Sequence, residues 1–285
     1  MPPEPPVISP ATLAEAFQLI ATLPHRPVAG GTDLLVQITG EIGDPPERVI
    51  DLWGLEELRG IVVEPGALVI GALTTYTDIR RSLDVAEHLP ALADAAATIG
   101  ASQIQNRGTL GGNAVNASPA GDTLPILLAT DAELIAGSAR GERTVSANEF
   151  WPAYRRTALA ADELLLRIRF PISRDRRVRF RKVGTRRAQA ISKVVMALAW
   201  EAHDADRTWR NVRLALGSMA ATPIRAGHTE SVLEGAIPTA EVADAAAAAL
   251  SAELSPIDDV RSTADYRRAV ASRVLHRLVR DEGGW

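Results

Sequence analysis

The stretch from Gln105 to Asp122, QNRGTLGGNAVNASPAGD, combines four glycines with three asparagines, a threonine, a serine and a terminal acid. Glycine has no Cβ, so it adopts positive φ angles and lets backbone N–H groups approach a ligand closely. Consecutive N–H groups in such a turn form a concave nest that binds phosphate oxygens. The residue types and their spacing therefore predict a backbone shaped around an anionic ligand, with the amides of Asn113 and Asn116 as further donors.

A shorter stretch near the start, Gly30-Gly31-Thr32-Asp33, shares these features, with two glycines beside a hydroxyl. Two such segments, far apart in the chain, can hold the two phosphates of one dinucleotide. Simpler interpretations stay open for individual residues. The short stretch can be an ordinary turn between a strand and a helix, Asp122 can cap the helix that begins after it, and Arg107 can be solvated.

The familiar phosphate-binding and nucleophile motifs are absent from the sequence. It contains no Gly-x-Gly, no glycine loop that ends in Gly-Lys-Ser/Thr, and no Gly-x-Ser-x-Gly elbow. The chain has no cysteine, so it supplies neither a thiolate nucleophile nor a cysteine ligand for an iron–sulfur cluster. Its five histidines show no metal-ligand spacing. We expect no metal site, and redox chemistry here would require an organic cofactor.

The composition is that of a globular protein without a nucleic-acid or membrane signature. The chain has 285 residues, of which 46% are hydrophobic and 23% charged, and a net charge of −4. No apolar run reaches the ~18 residues of a membrane-spanning helix. The opening MPPEPPVISP lacks the cationic and apolar stretches of a signal peptide. We therefore expect a cytoplasmic protein with no membrane span and no nucleic-acid partner.

Short strands and helices alternate irregularly along the chain, which predicts an α+β fold and not a doubly wound sheet. Two β-branched runs around Glu64-Pro65-Gly66 predict a hairpin, and ISKVVMALAWEA and WRNVRLALGSM predict paired strands. Ser9-Pro10 predicts the start of the first helix, and AEHLPALADAAATIG predicts one helix that ends at Gly100. The natural division lies near Pro171–Asp175, which separates residues 1–173 from residues 174–285.

The segment from Arg174 to Arg187 holds eight basic residues and a single acid, Asp175. Three interpretations are available: a solvated strand face, neutralisation of a bound diphosphate, or a docking surface for an acidic partner. We favour a mixture of the first and third. Nucleic-acid binding has little support, because Phe180 is the one aromatic residue in the segment and the net charge of the chain is negative.

Four segments together carry a family resemblance: AGGTDLL, IQNRGTLGGNAVNASPAGDTLP, FRKVGTRRAQAISKV and DYRRAVASRVL. They resemble the FAD-binding subunit of molybdenum hydroxylases, the family of the flavin domain of xanthine dehydrogenase and the medium subunit of carbon monoxide dehydrogenase. The likeness runs over essentially the whole chain in the same order. It implies a PCMH-type FAD-binding domain of two subdomains over residues 1–173, followed by a smaller α+β C-terminal domain over residues 174–285.

The resemblance also implies which residues contact the cofactor. The first glycine stretch and the second contact the FAD diphosphate, and Asp122 is a further contact. Ile99 and Leu165 lie near the flavin, and Lys182 is placed to stabilise the negative charge of a reduced flavin, with a solvated cation as the alternative. The complete set is Pro27, Val28, Ala29, Gly30, Gly31, Thr32, Asp33, Leu34, Ile99, Thr109, Leu110, Gly111, Gly112, Asn113, Asp122, Leu165 and Lys182.

The function implied by the resemblance is electron transfer through noncovalently bound FAD. A large partner subunit would carry the molybdenum cofactor and a small partner the 2Fe–2S clusters, in a hetero-oligomer. No catalytic acid, base or nucleophile is expected in this chain. Two alternatives stay open: a stand-alone flavin oxidoreductase of the same fold, and a non-catalytic nucleotide-binding module.

The sequence departs from the family pattern in one loop. Relatives often carry acidic residues after the paired arginines, whereas Ala188, Gln189 and Ala190 follow Arg186-Arg187 here. That loop shapes the side of the flavin from which electrons leave. Its neutral composition leaves the external acceptor open among quinone, NAD and oxygen.

Overall fold

The computed structural model describes residues 5–40, 44–186, 189–202 and 207–285, and the strands in these ranges form three sheets. Arg187, Ala188 and His203 lie outside the described residues. The strands are β1 (Val7–Ile8), β2 (Arg26–Val28), β3 (Val49–Asp51), β4 (Ile61–Glu64), β5 (Ala67–Gly71), β6 (Glu133–Ser138), β7 (Gly141–Ser146), β8 (Leu164–Pro171), β9 (Arg176–Val183), β10 (Val194–Ala202), β11 (Trp209–Gly217) and β12 (Ile224–Arg225).

The helices pack around these sheets, and a 3₁₀ turn spans Glu56–Leu58. They are α1 (Leu13–Thr22), α2 (Leu34–Thr39), α3 (Tyr76–Arg81), α4 (Leu83–His88), α5 (Pro90–Thr98), α6 (Ser102–Gln105), α7 (Leu110–Asn116), α8 (Leu124–Ala129), α9 (Ala147–Phe150), α10 (Gly227–Leu233), α11 (Ala240–Glu253) and α12 (Ala264–Gly283). The predicted α+β class is confirmed.

The first sheet is small and parallel, in the order β1-β3-β2, and α1 belongs to the same hydrophobic cluster. The prediction that α1 starts at Ser9-Pro10 is wrong. The helix begins at Leu13, because the Thr12 side chain accepts a hydrogen bond from the backbone N–H of Glu15 at 3.2 Å. A hydroxyl two residues beyond the proline therefore provides the cap.

The second sheet is antiparallel, in the order β4-β5-β8-β6-β7. The predicted hairpin joins β4 to β5, and Gly66 takes the left-handed conformation that its turn requires, with φ of 75°. The prediction of a single helix that ends at Gly100 is wrong in one respect. It is divided into α4 and α5 at Leu89, since Pro90 begins α5 and lacks the N–H that would continue α4.

The third sheet is antiparallel, in the order β12-β11-β10-β9, and the predicted pairing of β10 with β11 is confirmed. Its two faces belong to different cores. Val195 and Ala197 pack in the cluster of the second sheet, whereas Val194 and Met196 pack with α11 and α12. Alternate side chains of one strand therefore connect the second sheet to the C-terminal helices.

Asp131 links the second and third sheets through three arginines. It follows α8, and its carboxylate lies 3.1 Å from Arg213, 3.3 Å from Arg225 and 3.6 Å from Arg176, which come from β11, β12 and β9. One carboxylate therefore compensates charges from three strands of the third sheet, and its side chain is a third exposed.

Replacing Asp131 by asparagine is expected to lower the free energy of unfolding by about 1–2 kcal/mol, because three arginines lose a shared counter-charge. Asparagine tolerates the left-handed backbone of this position, where φ is 51°, so the change isolates the charge. Chemical denaturation measures the effect. Asp94→Asn, on the exposed face of α5, is the control and should change little; equal stabilities for the two variants would contradict the linking role.

Candidate functional site

A cavity of about 850 Å³ lies where strands β2 and β8 of the first two sheets meet loops that adjoin the strands of the third sheet. This volume falls within the range of small-molecule and cofactor sites. Fifteen of the predicted contact residues line the cavity: Pro27, Val28, Ala29, Gly30, Gly31, Thr32, Asp33, Leu34, Ile99, Thr109, Gly111, Gly112, Asn113, Asp122 and Leu165. The other two do not line it. Leu110 is fully buried in the core, and Lys182 reaches the cavity wall only through Asp122.

The first glycine stretch supplies free backbone donors to the cavity. No described residue accepts a hydrogen bond from the N–H groups of residues 30–34, which connect β2 to α2. Gly31 adopts φ of 76°, a left-handed conformation that turns successive N–H groups into a concave arrangement. These five consecutive donors are suited to bind an anion.

The second glycine stretch is built differently from the expectation. Its middle part is a helix, α7, capped by Thr109, whose Oγ1 accepts a hydrogen bond from the N–H of Gly112 at 3.0 Å. The N–H groups of Leu110 and Gly111 donate to the carbonyls of Thr74 and Ala72 at 3.1 and 2.9 Å. The expectation of free N–H donors at Gly111 and Gly112 is therefore wrong, because the protein uses both internally.

Glycines in these segments permit close packing between main chains. A Cβ on Gly111 would lie 2.6 Å from the Cβ and 2.7 Å from the carbonyl oxygen of Ala72. A Cβ on Gly30 would overlap the carbonyl group of Arg107, which belongs to the second stretch. The two glycine-rich stretches are therefore in direct backbone contact.

Asp122 is the centre of a buried polar cluster in the cavity wall. Its Oδ2 accepts a hydrogen bond from Lys182 Nζ at 2.6 Å, and its Oδ1 accepts one from the Ser192 hydroxyl. Lys182 also donates to the Thr98 carbonyl at 3.2 Å. The capping interpretation of Asp122 is wrong, since the cap position of α8 is Thr123, and the solvated interpretation of Lys182 is wrong, since its side chain is 9% exposed.

The electrostatics of this cluster are not those of a simple stabilising ion pair. Burial raises the pKa of the Asp122 carboxyl above its ordinary value, although Lys182 and Ser192 act in the opposite direction. Desolvation therefore outweighs the attraction of the nearby lysine. A desolvated carboxylate with a specific charge partner in a cavity wall is typical of a ligand site.

Tyr76, Arg155 and Ser192 line the cavity but were missed by sequence reasoning. Tyr76 is buried, and burial raises the pKa of its phenol well above the ordinary value, with the charges of Asp122 and Asp33 adding to the effect. Tyr76 and Arg155 lie outside the segments that carry the family resemblance, whereas Ser192 lies within FRKVGTRRAQAISKV, but its role in the cavity was not predicted.

Two arginines of the basic segment pair with acids away from the cavity. No described residue from 174 to 186 lines it. Arg176 pairs with Asp131, and Arg179 pairs with Glu282 at the end of α12 at 2.5 Å. The geometry gives no support to neutralisation of a diphosphate by this segment. Arg107, expected as a candidate solvated cation, lies 3.8 Å from the centre of the Trp53 ring.

Within the described ranges, no group of three or more histidine, cysteine, aspartate or glutamate side chains is arranged to hold a metal ion. None of the helices in those ranges combines the length and the apolar character needed to cross a membrane.

Two protein families match the chain in succession. The family described as "FAD binding domain in molybdopterin dehydrogenase" matches residues 4–173, and the family described as "CO dehydrogenase flavoprotein C-terminal domain" matches residues 179–281. The xanthine dehydrogenase FAD-binding subunit of Escherichia coli O157:H7 is 33% identical, over 96% of each chain. The carbon monoxide dehydrogenase medium chain of Hydrogenophaga pseudoflava is 32% identical, over 95% of this chain and 94% of the relative.

Solved structures give the same result at the level of coordinates. A carbon monoxide dehydrogenase structure from Hydrogenophaga pseudoflava superposes with a TM-score of 0.91 at 32% identity, over 97% of this chain and 96% of the other. Quinoline 2-oxidoreductase from Pseudomonas putida 86 gives a TM-score of 0.91 at 26% identity, over 99% and 98%. The resemblance seen in the sequence is confirmed, and the chain belongs to the family of FAD-binding subunits of molybdopterin-dependent dehydrogenases.

Proposed function

We propose that this chain holds FAD noncovalently in the cavity and transfers electrons within a multi-subunit molybdenum hydroxylase. The observation that carries the proposal is the set of five free N–H groups at residues 30–34 in the wall of a cofactor-sized cavity. Such donors bind diphosphate oxygens through charge-assisted hydrogen bonds. FAD supplies the electron-transfer chemistry, and the chain contributes binding, orientation and electrostatics.

In this proposal the chain receives electrons from the 2Fe–2S clusters of a small partner subunit and delivers them to an external acceptor. A large partner subunit carries the molybdenum cofactor and oxidises the organic substrate. Relatives are named as medium chains or FAD subunits, which supports a hetero-oligomer. The lack of cysteine supports clusters on another chain, because this one offers no thiolate ligands. A cytoplasmic location is part of the same proposal.

Each part of the chain has its own role in the proposal. Residues 1–173 bind the diphosphate through the first glycine stretch, and residues 174–285 close the cavity with Ser192 and the segment from Ser218 to Ala221. Exposed arginines of the basic segment, such as Arg177, are available for docking an acidic surface of a partner.

Two observations separate the proposal from its alternatives. Titration of the purified chain with FAD should saturate at one FAD per chain, with flavin absorption that bleaches on chemical reduction. A chain that binds no FAD would contradict the proposal, and one that binds FAD without reversible reduction would support a nucleotide-binding module. Co-expression with neighbouring genes should yield a complex containing a larger and a cysteine-rich smaller polypeptide; a flavin-loaded chain that turns over alone would support the stand-alone enzyme.

A further inference from the structure

Arg155 is an exposed cation at the cavity wall, on the segment between α9 and β8. Its backbone takes a left-handed conformation, with φ of 51°, in a turn that the Arg156 N–H closes on the Ala153 carbonyl at 3.0 Å. Non-glycine residues in this conformation are uncommon and cluster at functional sites. The turn holds the Arg155 side chain beside the cavity.

The Arg155 guanidinium is connected to the first glycine stretch through two side chains. Its Nη1 donates to Asn116 Oδ1 at 3.2 Å, and Asn116 in turn hydrogen-bonds the Asp33 side chain. The charge of Arg155 also acts on Asp33, whose pKa is raised by burial and lowered in part by this arginine. Arg155 is therefore linked, through Asn116, to the aspartate of the turn that carries the free N–H groups of residues 30–34.

A bound diphosphate creates a charge problem at this position. Asp33 belongs to the same turn as the free N–H donors, so its carboxylate would repel the phosphate oxygens at short range. A cationic side chain that can move from the carboxylate to the phosphate removes this repulsion. A guanidinium suits the role, because its planar fork binds phosphate oxygens in pairs.

The other described basic residues of the cavity are less suited to this role. Arg267 is buried and pairs with Asp259 at 2.6 Å, and Arg261 pairs with the same carboxylate at 3.4 Å. Arg26 begins β2, four residues before the free N–H groups. Arg155 alone among the four is coupled to the aspartate beside those groups.

We propose that Arg155 is an additional anion-binding residue of this site, which contacts the diphosphate that residues 30–34 hold. The inference rests on the proposed function, since it names a further contact of the same cofactor. It assigns Arg155 to the diphosphate end of the ligand and not to its flavin ring.

The test compares Arg155→Gln with Arg156→Gln, using FAD, ADP and riboflavin as separate probes. Arg156 is exposed on the same turn but does not line the cavity, so it is a matched control. Arg155→Gln should weaken FAD and ADP binding about tenfold or more, because a charge-assisted hydrogen bond to phosphate is lost. Riboflavin, which lacks the diphosphate, should bind both variants as it binds the wild type. Fluorescence titration measures all three, and thermal melts verify folding.

Several outcomes would overturn the inference. ADP binding equal to that of the wild type would show that Arg155 makes no diphosphate contact. An equal loss for riboflavin would show that Arg155 acts on the cavity through Asn116 and not on phosphate. If the wild type binds FAD but not ADP, the diphosphate assignment is wrong while the proposed function stands. If the wild type binds none of the probes, the proposed function itself is contradicted, and this inference falls with it.

Discussion

The substitution Gly30→Ala is expected to weaken FAD binding so strongly that the purified chain no longer retains FAD. The added Cβ would overlap the carbonyl group of Arg107 and lie 3.1 Å from the backbone nitrogen of Gly108. These are main-chain atoms that lead directly into the cap of α7, so they cannot yield as a flexible side chain would. The turn of residues 30–34 must therefore move, and its N–H groups lose their common direction.

The expected loss in FAD affinity is about a hundredfold, since at least two charge-assisted hydrogen bonds depend on that turn. The free energy of unfolding should fall by about 1–3 kcal/mol through overpacking. Flavin content after purification and equilibrium titration measure the first effect, and chemical denaturation the second. Gly54→Ala is the control, because no atom lies within 4 Å of the Cβ it would add. Full flavin content in Gly30→Ala would contradict the role of the turn.

Asp122→Asn is expected to destabilise the chain by about 3 kcal/mol. The substitution keeps an oxygen for the Ser192 hydroxyl but leaves the charge of Lys182 without its partner, at a site where both side chains are about one-tenth exposed. Breaking one half of a buried pair costs more than removing both halves. Chemical denaturation of the single variant measures this cost.

The double variant Asp122→Asn/Lys182→Met separates folding from ligand binding. It removes both charges and keeps most of the side-chain volume, so its stability should return to within about 1 kcal/mol of the wild type. Its FAD affinity should stay about tenfold lower, because the carboxylate in the cavity wall is gone. A double variant that is both stable and normal in FAD binding would show that the pair is only structural.

Secondary structure was predictable wherever local chemistry determines it. Gly66 has a left-handed turn between two β-branched runs, and β10 and β11 are long apolar strands that pair along their length. The errors came from competing local signals. Thr12, and not Ser9, caps the first helix. Pro90 ends a helix that its alanine-rich composition would otherwise favour continuing.

The site was located by its glycines, but the roles of the two stretches could not be assigned from composition. Gly111 and Gly112 predicted free donors, yet their N–H groups bond to Ala72 and Thr109, and the weaker motif at residues 30–34 holds the free ones. Only the tertiary structure determines which N–H groups find internal acceptors. The partner of Lys182 lies 60 residues away, a distance that no local pattern bridges.

The cavity wall includes residues of all three hydrophobic clusters, so a ligand that fills it would contact each of the three cores. A ligand that binds only the native state adds its binding free energy to that of folding. We therefore expect newly synthesised chains that lack flavin to be more susceptible to cellular proteases. We therefore expect the half-life of the chain in the cell to depend on the supply of flavin.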